Sequence, residues 1–225
     1  MKPLLSIIVP ALNEAAGIVA TLSALAPLRA RGAEVIVVDG GSDDGTAGLA
    51  AAAADQVVGA PRGRARQMNA GAALAHAPVL LFLHADTRLP EGADRTIQAA
   101  VVRGASWGRF DVRIDGRARM LRVVAFLMNL RSRLTGMATG DQAIFVTRTV
   151  FERAGGFPDQ PLMEDIALSR RLRQVAPPAC LRDRVVTSGR RWERRGVWRT
   201  VFLMWRLRWR YWRGESPQAL AEVYR

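Results

Sequence analysis

The residues of this 225-residue chain best suited to chemistry are acids standing at the ends of apolar runs. One run closes as Val37-Val38-Asp39-Gly40-Gly41-Ser42-Asp43-Asp44-Gly45-Thr46. An acidic side chain at such a tip accepts hydrogen bonds from a nucleotide base or ribose, and the glycines let a ligand approach the backbone. Ser42 or Asp43 would also cap a following helix. A later run ends Leu83-His84-Ala85-Asp86-Thr87. There Asp86 is placed to hold a divalent cation, which keeps several waters and bridges to substrate phosphates; the plainer alternative is a carboxylate capping the next turn. In Met163-Glu164-Asp165-Ile166-Ala167-Leu168 two acids stand at the start of a helix, beyond a proline-bearing loop. A carboxylate near an acceptor hydroxyl can remove its proton, whereas both acids could simply favour the helix N-terminus by roughly 0.3–1 kcal/mol. The first apolar run ends Pro10-Ala11-Leu12-Asn13-Glu14, without the glycine-rich turn of a dinucleotide site or of a sugar-nucleotide pyrophosphorylase. Asn13 could cap the next helix.

The elements that must position these groups alternate between strand and helix. Strands are expected at Leu4–Val9, Val35–Asp39, Val57–Val58 and Val79–His84, with helices at Glu14–Arg31, Asp43–Ala54 and Arg64–His76. Such alternation implies βαβ units and a mainly parallel sheet covered on both faces, an α/β/α sandwich that binds ligands at the carboxyl edge of its strands. After Asp86 the rhythm changes. A helix is expected at Pro90–Arg103, a strand at Ser106–Ile114, a long amphipathic helix at Arg117–Leu134 and a strand at Ala143–Val146. A loop runs into a helix over Pro161–Val175. An aromatic, arginine-rich helix spans Trp192–Arg213, and a short helix follows Pro217. The simplest division is one domain, residues 1–190, with a basic amphipathic helical extension, 191–225, packed on it.

Composition narrows the chemistry. The chain is 49% hydrophobic and 24% charged, as expected of a folded globular protein. A single cysteine, Cys180, excludes an internal disulfide, and two histidines, His76 and His84, exclude a multi-histidine zinc site. A reducing, cytoplasmic setting is expected. The run Leu4–Val9 is too short for a signal peptide, and Arg199, Arg206, Arg208 and Arg210 interrupt the most apolar tail segment, so no targeting or spanning segment is expected. The net charge of +13 rests almost wholly on arginine, and twelve arginines face four acids from Leu181 to Arg225. A nucleic-acid-binding protein would fit that charge and the tryptophan–arginine tail. It gives no reason for acids at several strand and loop tips, where they would repel phosphates, so no nucleic-acid partner is expected. Trp198, Phe202, Trp205, Trp209 and Trp212 recur at steps of four and three beside a second stripe of Arg199, Arg206, Arg210 and Arg213. That pattern suits either a helix lying on a membrane surface or one packed on the domain.

In order along the chain, these segments resemble family 2 glycosyltransferases with the GT-A fold. The resemblance rests on Ser6 to Pro10 with Asn13-Glu14, Val38 to Thr46 and His84-Ala85-Asp86. It extends to Gly140-Asp141-Gln142, Met163-Glu164-Asp165 and Arg190-Arg191-Trp192. It implies transfer of a sugar from a nucleotide-sugar donor to a hydroxyl acceptor, with inversion and with Mn²⁺ or Mg²⁺. Pro10 and Asp39, with Ala11, Asn13, Glu14 and Gly41 of the same tips, would meet the nucleotide. Arg66 and Asn69 would belong to the segment that closes over it. Asp86 would contact the metal beside Ala85, while His84 stands where the family usually carries the first acid of its metal motif. Asp165 would be the catalytic base, with Glu164 beside it and Asp141 on the acceptor side. Arg190, Arg191 and Trp192 would bind the diphosphate or the acceptor. The tail Arg191–Arg199 is similar to that of short bacterial members linked to arsenosugar biosynthesis. A lipid acceptor such as a polyprenyl phosphate, used at the membrane face, is the rival within enzymes.

Overall fold

Two neighbouring strands are apolar on both sides, so they require cover above and below. β1 (Leu5–Ala11) and β2 (Glu34–Asp39) are buried along their whole length. A computed structural model describes residues 3–224 and supplies that cover. Ile7, Val9, Val35, Val37 and Leu81 face one layer, containing α1 (Ala15–Ala30), α2 (Thr46–Ala51), α4 (Ala93–Val102) and α5 (Met120–Thr135). Ile8, Ile36, Val38, Leu80 and Phe82 face the other, containing α3 (Arg64–Leu74), α6 (Arg148–Arg153) and α7 (Glu164–Val175). The period of two along each strand thus builds both cores of an α/β/α sandwich. α3 lies so close to the sheet that a Cβ on Gly71 would sit 2.5 Å from Ile8 Cγ2.

The remaining strands are β3 (Gln56–Gly59), β4 (Val79–Phe82), β5 (Thr87–Arg88), β6 (Trp107–Asp115), β7 (Ile144–Thr147) and β8 (Ala179–Ser188). The sheet runs in the order β3-β2-β1-β4-β7-β6-β8-β5. Its first half is parallel, as the alternating pattern requires. β7 runs antiparallel to both β4 and β6, β6 and β8 run parallel, and β5 closes the edge antiparallel to β8.

Several expectations need correction. The second helix begins at Thr46, not Asp43, because Gly45 adopts a φ of +87° and Asp44 accepts the Thr46 N–H. Neither Ser42 nor Asp43 caps it. Asn13 does not cap α1 either: Thr46 Oγ1 and Asp44 Oδ2 accept the N–H groups of Glu14 and Ala15, so the second loop caps the first helix. The tail helix is two, α8 (Arg190–Arg195) and α9 (Val197–Trp212), because Gly196 has a φ of +82° and breaks the ladder. α10 (Pro217–Tyr224) follows as expected. β8 has no counterpart in the sequence reading; two extra residues, Arg182 and Asp183, bulge between its paired halves and break the alternation.

Candidate active site

β4 stops at Phe82, and the Thr87 N–H donates to the His84 carbonyl at 3.0 Å. His84-Ala85-Asp86 is therefore a turn beyond the sheet edge. Ala85 is its anchor, buried in the core with its carbonyl accepting Thr21 Oγ1. His84 and Asp86 are left to line a cavity of about 160 Å³. On its other side a short 3₁₀ turn, Gly140–Gln142, carries Asp141, whose carboxylate lies 3.4 Å from His84 Nδ1. Gly140 is required there, since a Cβ would come 2.2 Å from the His84 ring.

The N-terminus of α7 forms the next wall. Met163 precedes it with a φ of +65°, a left-handed conformation that a side chain adopts at a cost, and it turns Glu164 and Asp165 into the cavity. Asp165 is held at both oxygens: Oδ2 accepts the Gly140 N–H at 2.9 Å and Oδ1 the Ile166 N–H at 2.7 Å. Glu164 is buried, and burial followed by the charge of Asp165 pushes its carboxyl above the usual range. For Asp141, burial acts upward, but the hydrogen bond with His84 and the charges of His84, Arg64 and Arg191 prevail and hold it below the usual range.

Cations close the cavity. Arg191 lies 4.9 Å above the ring of Tyr224, and its guanidinium is held below its usual range by burial and then by Arg64. Arg190 reaches Glu14 at 3.3 Å and Asp86 at 3.9 Å, tying the end of the first strand to the His84–Asp86 turn.

The cavity therefore gathers His84, Asp86, Asp141, Glu164, Asp165, Arg191 and Trp192, which are widely separated in sequence. The remaining candidates stand outside its lining. Pro10 and Ala11 end β1 in register with Val38 and Asp39. The Asp39 carboxylate accepts the N–H groups of Gly41 and Ser42, and Asn13 Oδ1 accepts the Asp43 N–H, so these residues knit two loops into one rim. Asn69 pairs with the Phe157 backbone, and Arg66 pairs on the surface with Asp159. From the same helix it is Arg64 that faces the cavity. Sequence reasoning also missed Arg208, Met204 and Tyr224. The spacing by four of Thr200, Met204 and Arg208 on α9 was the available signal.

Among the described residues no group of three His, Cys, Asp or Glu side chains could hold a metal. Asp86, with its side chain 32% exposed at the cavity, offers one carboxylate. That fits a cation of the Mg²⁺ or Mn²⁺ kind, bound through one carboxylate, waters and substrate phosphates, and does not fit an all-protein cage.

The family model described as "Glycosyl transferase family 2" matches residues 6–152. No curated protein sequence matches the chain. Among solved structures, S. aureus TarS 1–349 in complex with UDP-GlcNAc superposes with a TM-score of 0.68 at 17% identity, covering 82% of this chain and 58% of that one. The mannosyltransferase PcManGT from Pyrobaculum calidifontis, in complex with GDP-Man and Mn²⁺, gives 0.62 at 23% identity, with coverage of 83% and 57%. Glucosyl-3-phosphoglycerate synthase from Mycobacterium tuberculosis, with Mg²⁺ and UDP, gives 0.60 at 18%, with coverage of 82% and 70%. The chain thus spans less than two thirds of the first two, and these likenesses concern the fold. With the family model matched over most of its length and the GT-A sandwich built as described, the chain belongs to glycosyltransferase family 2.

Proposed function

We propose that this chain transfers a sugar from a nucleotide-sugar donor to a hydroxyl acceptor in a single, inverting displacement that depends on Mn²⁺ or Mg²⁺. The observation that carries the reading is the meeting of Asp86, the His84–Asp141 pair and the Glu164–Asp165 pair in one cavity. Asp165 is the base. Its two backbone hydrogen bonds orient the carboxylate while each oxygen keeps lone-pair capacity for a proton. As the acceptor oxygen bonds to the anomeric carbon, the bond from that carbon to the diphosphate breaks. The electron pair leaves with the diphosphate and the hydroxyl proton passes to Asp165. Glu164, raised in pKa beside it, resists becoming a second negative charge. Arg64 and Arg191 oppose the charge that grows on the departing group, and Arg190 serves from beside Asp86. Asp86 would hold the cation, which supplies electrostatic stabilisation of that diphosphate. Pro10, Ala11, Asn13, Glu14, Asp39 and Gly41 form the nucleotide rim, with Arg66 and Asn69 in the neighbouring segment that approaches it.

Within the family, the tail Arg191–Arg199 favours the short bacterial subgroup linked to arsenosugar biosynthesis, acting in the cytoplasm. Residues 191–225 are read as an extension that completes the cavity with Arg191, Trp192, Thr200, Met204, Arg208 and Tyr224. A peripheral membrane contact through α9 is favoured by one observation: Trp198, Phe202, Trp205, Trp209 and Trp212 are all 57% or more exposed.

Asp165→Asn tests the mechanism. Turnover is expected to fall by about a hundredfold to ten-thousandfold, with donor affinity measured by calorimetry nearly unchanged. Near-normal turnover would exclude Asp165 and make Glu164 the next candidate.

A further inference from the structure

A second cavity opens from the first. It holds about 430 Å³ between α5 and α9, within the range of small-molecule sites. Its walls are apolar: Leu127, Leu130 and Leu134 on one side, Val201 and Trp205 on the other, with Trp192 at the inner end. Asp141, Trp192, Met204 and Arg208 line both cavities, so the two share a doorway. The outer end is continuous with exposed apolar surface, since Leu127, Leu134 and Trp205 are 48%, 77% and 61% exposed.

The doorway is electrostatically unfinished. Arg208 makes no hydrogen bond or ion pair among the described residues. Arg131, which also lines the groove, has all three side-chain nitrogens shut off from water with no partner. The two guanidinium groups are close enough for their charges to oppose one another, and burial lowers the pKa of each, that of Arg131 to about 9. Asp141 and Asp165 offset part of this but hydrogen-bond elsewhere. Two neighbouring cations without hydrogen-bonded partners, at the inner end of an apolar groove, call for an anion carried on an apolar chain.

We propose that this groove binds the acceptor, and that the acceptor is a phosphate-bearing lipid. Its chain lies between α5 and α9, its phosphate meets Arg208 with Arg131 behind it, and a hydroxyl of its head group reaches Asp165. This rests on the reading of the first cavity as the site of sugar transfer. The transfer step is the one given above, with that hydroxyl as nucleophile.

The test titrates the full chain by calorimetry with dodecyl phosphate below its micelle concentration, with inorganic phosphate, and with UDP plus Mn²⁺. Dodecyl phosphate is expected to bind at least tenfold more tightly than inorganic phosphate. Leu130→Glu, at a partly exposed groove position, should weaken dodecyl phosphate at least tenfold and spare inorganic phosphate. Val102→Ala, exposed on α4 outside the groove, should change neither. Arg208→Gln should weaken both phosphate probes and leave UDP within about threefold of wild type. UDP binding reports on the donor site independently, so failure there is distinguishable from failure here. Equal affinity for the two phosphate probes, or indifference to Leu130→Glu, overturns the lipid. A loss of UDP affinity in Arg208→Gln as large as the loss of dodecyl phosphate returns the arginine to the donor and overturns the anion seat.

Discussion

Single side chains here are set by what they are forced to face. Glu164 is buried beside Asp165, so its proton is held to a higher pH in the folded chain than in the unfolded one. A raised carboxyl contributes a penalty that starts near the unfolded pKa and is complete above the folded one; stability therefore falls as pH rises through that window. Glu164→Gln removes the charge and keeps the shape. The variant is expected to match wild type in acid and to exceed it progressively toward neutral and alkaline pH, as read by thermal melts across pH. A constant gap at all pH values would contradict the assignment. Asp86 is the opposite kind of residue, a carboxylate at a cavity wall held only loosely, with the Thr87 hydroxyl donating at 3.5 Å and the Arg190 guanidinium 3.9 Å away. Asp86→Asn should keep the melting temperature while abolishing the increment that Mn²⁺ adds to UDP binding. Persistence of that increment in excess over chelated controls would remove Asp86 from the metal.

Elements, more than residues, explain what could be read in advance. The strand end at Asp39 and the turn at Asp86 were legible because short, buried, apolar runs end abruptly in polar residues. The helix start at Glu164 was legible from two acids before an apolar pattern. β8 was not, since Arg182, Asp183 and Arg184 stand where alternation should place an apolar side chain, and only pairing with β6 makes the bulge tolerable. Arg64 and Arg66 could not be separated without the helix orientation, because positions two apart face different ways. The wall made by α9 was equally hidden: its inward face depends on Leu207 and Leu220, which meet Met163 in a small separate core. That core couples the tail to the strained residue before Asp165. Leu207 is fully buried there. Leu207→Ala should cost about 2–5 kcal/mol locally. Hydrogen exchange is expected to quicken in α9, α10 and the Leu162–Asp165 segment, with the β1–β2 sheet unchanged and turnover reduced. Uniform exchange throughout would mean that the tail does not position the helix that carries Asp165.

At the scale of the whole molecule, a large share of the positive charge, twelve arginines against four acids from Leu181 to Arg225, falls on the same C-terminal region as five exposed aromatics. α9 buries Thr200 and Leu207 and leaves five large aromatic side chains in water, which an ordinary packed helix would not do. The arginine stripe beside them is only partly committed: Arg210 is held by Glu215 and Arg213 lies 5.0 Å above Trp209, whereas Arg199 and Arg206 line open surface clefts. No described helix is long and apolar enough to cross a membrane; the proposed contact would lay α9 on the surface, with rings in the acyl boundary and guanidinium groups among the phosphates. The two contributions separate by salt. Screening acts within about 10 Å at 0.1 M and about 3 Å at 1 M, so the arginine share should vanish at high salt while the aromatic share remains. Wild type is expected to co-sediment with phosphatidylglycerol vesicles at low salt and more weakly at 1 M. Phe202→Glu with Trp209→Glu should lose binding in both conditions and keep UDP affinity. Absence of wild-type binding even at low salt would leave the aromatic stripe without a membrane role.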